Sequence, residues 1–279
     1  MKLSIITINY NNKAGLQKTI DSVICQTWRD FEWIVIDGGS TDGSKELIEQ
    51  YQQHFAYWCS EPDKGVYNAM NKGIAKAKGE YLNFMNSGDV FYNEKILQNI
   101  FDQPLDLDII YGDWIRIKYQ QTEYIHAPKE VTLDFLYGGN ICHQAMFIKS
   151  EMLKKEGYDE SFKIYADWAQ WIKMFYDGAT AHHLSFPVCI FDATDGISNR
   201  LSPELSVELE RARQQLPLHI RGILERSYQY KKRLSALESS ALVQDTFSLI
   251  NERPLYCKLI HLNIIVVKGI RKILKALNL

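Results

Sequence analysis

Residues 3–42 read LSIITINYNNKAGLQKTIDSVICQTWRDFEWIVIDGGSTD, and apolar runs in this stretch alternate with polar ones. Residues 3–8 and 33–36 are short apolar runs followed by polar residues, which predicts two buried strands that end in loops. Between these strands, one face of a predicted helix is formed by Leu16, Ile20, Val23 and Ile24. A strand, a helix and a strand in this order predict an α/β protein with a parallel sheet.

The same alternation continues to about residue 90 and predicts a Rossmann-like, mostly parallel sheet flanked by helices. Apolar residues at helical spacing predict two further helices, around residues 44–55 and 66–76, and residues 81–85 form another apolar strand. Beyond residue 90 the pattern is less regular and predicts mixed strands and loops until a helix near residues 167–176. Since ligands bind at the carboxyl ends of parallel strands, the polar clusters after the strands are the candidate site.

The overall composition narrows the class of protein. The chain has 279 residues, of which 46% are hydrophobic and 24% charged, as in an ordinary globular protein. Its net charge of −2 argues against a nucleic-acid partner. The five cysteines are spread out without a CxxC pair, which favours a reducing compartment over a disulfide framework or a zinc site. Neither a signal peptide nor a spanning segment is apparent, so we expect a cytoplasmic protein.

The tetrapeptide NSGD at residues 86–89 follows a predicted strand. A carboxylate at a strand end, beside a glycine, suits a hard divalent cation such as Mg²⁺ or Mn²⁺. Asp89 is therefore a candidate metal ligand, and Asn86 and Gly88 are candidate contacts to the molecule that binds there with the metal. The alternative is an ordinary β-turn, because all four residue types are common in turns.

A second polar cluster, DGGSTDGSK at residues 37–45, is close to a phosphate-binding P-loop. The order of its last two residues excludes that motif, because the serine precedes the lysine. Asp37 remains as an acceptor for a sugar hydroxyl or a base edge, and Asp42 or Ser44 is a candidate helix N-cap. Two interpretations of Asp63 remain open: it is either the N-cap of the next predicted helix or a contact to the nucleotide.

Two candidates lie in the second half of the chain. Asp167 occurs in IYADWAQW at residues 164–171, where a carboxylate among aromatic residues can act as a general base. A carboxylate in the first turn of a helix is also a common cap or dipole partner. His143 follows two glycines and is interpreted either as a substrate contact or as a structural hydrogen-bond donor.

Seven segments resemble, in order and spacing, the family 2 glycosyltransferases with the GT-A fold, bacterial polysaccharide-biosynthesis enzymes especially. The resemblance extends from Lys2 to about Arg200. Its segments are SIITINYN (4–11), SVICQT (22–27), DGGSTD (37–42), DKGVYNAMNKG (63–73), AKGEY (77–81), NSGD (86–89) and YAD (165–167).

The resemblance implies an inverting enzyme that moves a sugar from a nucleotide diphosphate-sugar to an acceptor hydroxyl. It implies a divalent metal, Mn²⁺ or Mg²⁺, at the motif that contains Asp89, and Asp167 as the base. The acceptor would be a saccharide or a lipid-linked molecule. Positions of the family that line the nucleotide are matched by Thr7, Asn9, Asp37 and Asp63, and the molecule that would contact Asn86 and Gly88 is the nucleotide-sugar.

The sequence also departs from the family pattern. Gly38 stands where a second aspartate is frequent, Ala166 replaces a glutamate, and Asn86 and Gly88 replace acidic residues of the metal motif. Asp89 is thus the motif's one carboxylate, which keeps open a non-catalytic nucleotide-sugar-binding protein of the same fold. A sugar nucleotidyltransferase is a further alternative, although residues 9–13 lack the glycine-rich basic loop expected of it.

The sequence predicts a transferase domain at residues 1–203 and a helical extension at residues 204–279. Within the extension, residues 255–277 place apolar residues on one face of a helix and basic residues on the other, and no acidic residue follows Glu252. This pattern is typical of a helix that lies on an anionic membrane surface. We therefore expect a cytoplasmic protein that is peripheral on the inner face of the cell membrane. The alternative is packing against the transferase domain or a second subunit.

Overall fold

The structure is a computed structural model that describes residues 1–102, 106–194 and 203–238. The amphipathic segment predicted at residues 255–277 lies outside the described residues. The chain divides into two units, Met1–Leu224 and Glu225–Leu279. Among the described residues, no helix combines the length and apolar character that crossing a bilayer requires.

Nine strands form one sheet within the described residues. They are β1 (Leu3–Asn9), β2 (Phe31–Asp37), β3 (Tyr57–Ser60), β4 (Tyr81–Phe84), β5 (Val90–Phe91), β6 (Ile109–Lys118), β7 (Gln121–Ile125), β8 (Met146–Lys149) and β9 (Ala181–Asp192).

The helices of the described residues are interleaved with these strands. They are α1 (Lys13–Ile24), α2 (Ser44–Tyr51), α3 (Val66–Lys76), α4 (Ile96–Phe101), α5 (Leu133–Leu136), α6 (Ser150–Lys154), α7 (Ala166–Tyr176), α8 (Pro203–Arg213) and α9 (Leu218–Glu238), with 3₁₀ turns at Gln52–His54 and His143–Ala145.

The strand order is β3-β2-β1-β4-β8-β6-β9-β5, and β7 pairs with β6. The pairs among β3, β2, β1 and β4 are parallel, which confirms the sheet predicted for the first half of the chain. In the second half, β8 pairs antiparallel with β4 and β6, whereas β6 and β9 are parallel. The mixed strands predicted beyond residue 90 are confirmed.

Helices cover both faces of the sheet. On one face, Leu16 and Ile20 of α1 share a buried cluster with Ile5 of β1 and Trp33 of β2. On the other face α3 lies so close to β1 that a Cβ on Gly73 would come within 2.4 Å of an Ile6 methyl group. Because side chains alternate along a strand, the buried apolar residues of β1 contribute to both layers.

The first unit extends beyond the predicted boundary at residue 203. The carboxylate of Glu208, in α8, accepts hydrogen bonds from the backbone amides of Lys163 (2.6 Å) and Ile164 (3.0 Å), just before α7. The guanidinium of Arg213 donates to the carbonyl of Tyr137 at 2.6 Å. Helix α8 is thereby fixed to the first unit, and the predicted division into a transferase domain and a helical extension stays a prediction.

Candidate functional site

The carboxyl ends of the parallel strands bring the predicted polar clusters together. In the strand register Asn9 of β1 lies opposite Asp37 of β2, which lies opposite Ser60 of β3. On the other side of β1, the loop at residues 86–89 follows β4, and the amide of Ser87 donates to the carbonyl of Ile8 at 3.1 Å. One edge of the sheet therefore carries three of the clusters that the sequence predicts, as expected for a parallel sheet.

Asp37 is fully buried and surrounded by hydrogen-bond donors. Its carboxylate accepts from the side chains of Asn9 (2.7 Å), Ser40 (2.5 Å) and Ser60 (2.6 Å) and from the amide of Ser40 (2.9 Å). Burial by itself would raise the pKa of Asp37, but these hydrogen bonds outweigh it and lower the pKa below its ordinary value. Asp37 therefore organises the loop, and its contact with a nucleotide stays a prediction.

Asn9 connects the Asp37 loop to the loop at residues 86–89. Its amide group donates to Asp37, and its carbonyl oxygen accepts from the Ser87 hydroxyl at 2.7 Å. Thr7 lies deeper, fully buried in β1, where its hydroxyl donates to the carbonyl of Met85 and accepts from the indole of Trp33. Both roles of the Thr7 hydroxyl are thus used inside the sheet, and its predicted nucleotide contact stays a prediction.

Asp63 lies beside the end of β2, where a Cβ on Gly38 would be 3.0 Å from a carboxylate oxygen of Asp63. It forms an ion pair with Lys72 of α3 at 2.6 Å, and Lys72 also pairs with Glu61 at 2.8 Å. Helix α3 begins after Gly65 without a side-chain cap, so the N-cap interpretation of Asp63 is wrong. The ion pair holds Asp63 at the rim of the strand-end site.

The loop at residues 86–89 has the backbone that its sequence suggests. Gly88 has a φ of +107°, a region that favours glycine. Its amide donates to the hydroxyl of Thr19 in α1 at 3.0 Å, and the same hydroxyl donates to the carbonyl of Asp89 at 2.8 Å. Helix α1 therefore fixes the path by which the chain leaves β4.

Asp89 is buried, with 5% of its surface exposed. One carboxylate oxygen accepts from the side-chain amide of Gln144 at 2.6 Å, and the other accepts a longer bond from the amide of Asp192 at 3.3 Å. Burial raises the pKa of Asp89 to about 7, against the opposing effects of the Gln144 hydrogen bond and the electrostatic influence of His143. A buried carboxylate that is costly to ionise is stabilised by a nearby cation.

His143 lies between the strand-end loop and α7. Its Nε2 is 2.9 Å from the side-chain nitrogen of Asn86, and its Nδ1 is 3.3 Å from a carboxylate oxygen of Asp167. Burial alone would lower the pKa of His143, but the hydrogen bond and charge of Asp167 outweigh it and raise the pKa above its ordinary value. The ring thus connects the loop of Asp89 with the predicted base.

Asp167 occupies the first turn of α7 and is 8% exposed. One of its carboxylate oxygens accepts from the hydroxyl of Tyr67 at 3.1 Å and from the amide of Trp168 at 2.8 Å. The other oxygen faces His143. Burial, followed by the charge of Asp167, raises the pKa of Tyr67 well above its ordinary value, so this hydroxyl keeps its proton, which the Asp167 carboxylate shares with the closer carbonyl oxygen of Ile164. The Asp167 carboxylate is held on two sides by side chains from distant parts of the chain.

Two residues of this arrangement were not predicted as site residues. Gln144 directly follows His143, and Tyr67 lies within the DKGVYNAMNKG segment, so both were inside segments that the sequence singled out. Tyrosine and glutamine occur in many structural positions, so their presence in a sequence does not by itself indicate a functional residue. Their role is visible from the contacts with Asp89 and Asp167.

The residues around Asp89 offer some, but not all, of the ligands that a divalent cation needs. Among the described residues, no group of three or more His, Cys, Asp or Glu side chains is arranged to hold a metal ion. The side-chain oxygen of Asn86 is buried and has no hydrogen-bond partner in the described part of the chain. The Asp89 oxygen that accepts the long bond from Asp192 has a further lone pair. A carboxylate and an amide oxygen, completed by phosphate oxygens, match the ligands that Mg²⁺ and Mn²⁺ take.

Solved structures share this architecture. Staphylococcus aureus TarS in complex with UDP-GlcNAc matches with a TM-score of 0.66 and 20% identity, over 80% of this chain and 70% of that chain. The mannosyltransferase PcManGT from Pyrobaculum calidifontis, in complex with GDP-Man and Mn²⁺, matches with a TM-score of 0.54 and 16% identity, over 92% of this chain and 82% of that chain. These matches confirm the predicted GT-A fold.

Curated relatives and a family profile agree. An uncharacterized glycosyltransferase of Mycobacterium tuberculosis is 37% identical over 171 residues, which cover 59% of this chain and 65% of the relative, less than two thirds of its length. The putative teichuronic acid biosynthesis glycosyltransferase TuaG of Bacillus subtilis is 25% identical over 194 residues, 66% of this chain and 75% of TuaG. The profile described as glycosyl transferase family 2 matches residues 4–178. The matched residues are more than half of this chain, and the chain therefore belongs to glycosyl transferase family 2.

Proposed function

We propose that the protein transfers a sugar from a nucleotide diphosphate-sugar to an acceptor hydroxyl, with inversion at the anomeric carbon. The observation that carries this proposal is the arrangement of two buried carboxylates around the 3₁₀ turn His143–Ala145. Asp89, after β4, is bonded to Gln144, and Asp167, in α7, faces the ring of His143. One carboxylate suits the leaving diphosphate and its cation, and the other suits the attacking hydroxyl.

The donor would bind along the carboxyl edge of β1, β2 and β3. Asn9, Asp37 and Asp63 meet there, and the hydrogen bonds and ion pair described above fix their positions. Nucleotide-sugars are present in both solved relatives, UDP-GlcNAc in TarS and GDP-Man in PcManGT, which supports this class of ligand. Both UDP- and GDP-linked sugars are therefore candidate donors.

A Mn²⁺ or Mg²⁺ ion would be held by Asp89, with the side-chain oxygen of Asn86 as a second protein ligand. When bound, such an ion neutralises charge on the leaving diphosphate. The presence of Mn²⁺ in the PcManGT complex supports this choice of metal. Gln144 holds the Asp89 carboxylate in one orientation. With Nε2 of His143 unprotonated, the nitrogen of the Asn86 amide donates to the ring, and the oxygen of that amide stays available to the cation.

Asp167 would accept the proton of the acceptor hydroxyl. The donors from Tyr67 and Trp168 bind one carboxylate oxygen and leave the second oxygen with His143. A carboxylate oxygen has two lone pairs, so the second oxygen retains an acceptor site. Deprotonation of a hydroxyl on the face opposite the diphosphate leads to a single displacement, which inverts the anomeric centre.

The acceptor would be a saccharide or a lipid-linked molecule of a bacterial polysaccharide pathway. TuaG is named for teichuronic acid biosynthesis, which supports a polymer pathway. A transferase with a membrane-bound acceptor gains from remaining at the bilayer, and the tail of this chain has a composition suited to that.

Nucleotide-sugars are expected to stabilise the protein against heat when Mn²⁺ or Mg²⁺ is present. A ligand that binds only the folded state adds roughly 2.7 kcal/mol to the free energy of unfolding at 100 times its Kd. A thermal-shift screen of UDP- and GDP-sugars, with each metal and with EDTA, measures this effect. Release of nucleotide diphosphate from the sugar that binds then distinguishes an enzyme from a binding protein. If no donor shifts the unfolding temperature and none is turned over, the proposed function is contradicted.

The tail is expected to hold the protein on the cytoplasmic face of the membrane. Residues 255–277 carry five basic residues, and each Lys or Arg near an anionic surface contributes about 1 kcal/mol. Liposome flotation measures this binding. Full-length protein should float with anionic liposomes at low salt and be released from them at high salt. A chain that ends at Asn251 should not bind the liposomes and should remain in the bottom fraction of the density gradient.

The charge and the apolar face can be separated in the same assay. The control is full-length protein in which Lys268, Arg271, Lys272 and Lys275 are changed to glutamine. It keeps the apolar face and should lose preference for anionic over neutral liposomes. Full-length protein that ignores anionic liposomes, or a truncated chain that aggregates, would instead support packing of the tail against protein.

A further inference from the structure

Gln144 is a buried residue whose side-chain nitrogen donates a hydrogen bond to the Asp89 carboxylate. It is 3% exposed, and its side-chain nitrogen donates to Asp89 at 2.6 Å. Asp89 is itself 5% exposed. A carboxylate in such surroundings keeps its orientation only if a donor fixes it, since bulk water has little access.

The side chain of Gln144 is held in turn, so that it presents its nitrogen and not its oxygen to Asp89. The thiol of Cys142 donates to the side-chain oxygen of Gln144 at 3.0 Å. The backbone of the turn is fixed as well, because the buried side chain of Asn83, in β4, donates to the carbonyls of Gln144 and Met146, both at 2.9 Å. Strand β4 thus leads into the loop that carries Asp89 and also fixes the turn that carries Gln144.

We propose that Gln144 is a positioning residue that orients the Asp89 carboxylate for the divalent cation and that Cys142 fixes the direction of the Gln144 amide. This inference rests on the proposed function, because it assumes that Asp89 binds the cation. Partners that hydrogen-bond a metal-binding side chain fix its orientation, and their loss lowers metal affinity by roughly 10–100-fold. The contact of Gln144 with Asp89 is of this kind.

The test measures Mn²⁺ binding without turnover. Free Mn²⁺ is followed by electron paramagnetic resonance while it is titrated into full-length protein with saturating UDP or GDP. Gln144→Leu keeps the volume of the side chain and removes its donor, and it should weaken Mn²⁺ binding roughly 10–100-fold. The matched control is Gln26→Leu, because Gln26 is fully buried and donates to the carbonyls of Ser22 and Asn93. It should bind Mn²⁺ as the wild-type protein does.

A second pair of variants avoids placing an apolar side chain against Asp89. Cys142→Ala removes the group that fixes the Gln144 amide and should weaken Mn²⁺ binding in the same direction, by a smaller factor. Cys142→Ser keeps a donor at this position and should restore the affinity. A general loss of packing predicts no such recovery, since serine is no larger than cysteine. Thermal unfolding of each variant confirms that it is folded under the conditions of the titration.

The outcomes separate this inference from the proposed function. If wild-type protein and both glutamine variants bind Mn²⁺ equally, Gln144 has no positioning role, and the proposed function stands. If wild-type protein binds no Mn²⁺ with either nucleotide, the metal site fails and this inference fails with it. Weaker binding by Gln144→Leu and Cys142→Ala, together with normal binding by Gln26→Leu and Cys142→Ser, supports the inference.

Discussion

Replacing Asp89 with alanine is expected to abolish sugar transfer. Asp89 supplies the one carboxylate of the loop at residues 86–89, and among the described residues no group of three or more acidic, histidine or cysteine side chains is arranged to hold a metal ion without it. A bound cation supplies several kcal/mol of charge stabilisation, and each 1.4 kcal/mol is tenfold in rate, so the rate should fall by about 10³-fold or more. Binding of nucleotide diphosphate should also become insensitive to EDTA. The measurements are donor turnover and nucleotide affinity, each with and without EDTA.

The control for this variant is a second buried aspartate. Asp113 is 2% exposed and accepts hydrogen bonds from His183, Tyr124 and the amide of Ala127. Asp113→Asn perturbs a buried, hydrogen-bonded carboxylate without touching the loop of Asp89, so its nucleotide binding should remain sensitive to EDTA. Unchanged transfer by a folded Asp89→Ala protein would show that the metal is bound elsewhere or is not required.

The first half of the sheet could be predicted because its signals are local. Strands β1, β2 and β4 are mainly apolar stretches that end in polar residues, and the helices between them have an apolar face. Strand β3 is not predicted, because its four residues are only half-buried and show no long apolar run. Parallel strands of this kind have their carboxyl ends at one edge, so the proximity of Asn9, Asp37 and the loop at residues 86–89 follows from strand order alone. Strand order in the second half of the chain cannot be predicted in this way, because β5 has only two residues and β6 pairs with three neighbouring strands.

The contacts that complete the candidate site connect residues far apart in the chain. Gln144 reaches Asp89 across 55 positions, His143 reaches Asn86 across 57, and Tyr67 reaches Asp167 across 100. No periodicity encodes such pairs, because they depend on the pairing of β8 with β4 and on where α7 packs in the fold. The sequence could therefore identify Asp89, His143 and Asp167 as separate candidates, whereas their common network required the three-dimensional structure.

The structure also separates residues that the motif groups together. Thr7 and Asn9 belong to one polar strand end in the sequence, yet Thr7 is used entirely within the sheet and Asn9 bridges two loops. The difference follows from the strand register, since Asn9 is the last residue of β1 and Thr7 lies two residues inside it. A motif match alone cannot show which of its polar residues reach the surface of the site.

Replacing Asp167 with asparagine is expected to lower kcat by roughly 10²–10⁴-fold, the usual contribution of a positioned general base. Asparagine keeps the size of the side chain, and its oxygen can still accept from Tyr67 or Trp168, so the fold and donor affinity should change little. Its amide cannot take up the proton of the acceptor. Release of nucleotide diphosphate under donor saturation measures kcat, and the thermal shift produced by the donor measures affinity.

Tyr67→Phe provides the matched comparison for this last variant, because it removes the hydroxyl that contacts Asp167 and the carbonyl of Ile164 but leaves the carboxylate in place. A base model predicts a large loss of kcat for Asp167→Asn and a much smaller one for Tyr67→Phe. If Asp167 serves only to stabilise the start of α7, both variants should instead lower the unfolding temperature and leave kcat near the wild-type value. If Asp167→Asn loses donor binding, the residue belongs to the nucleotide site, and the acceptor proton must leave by another group.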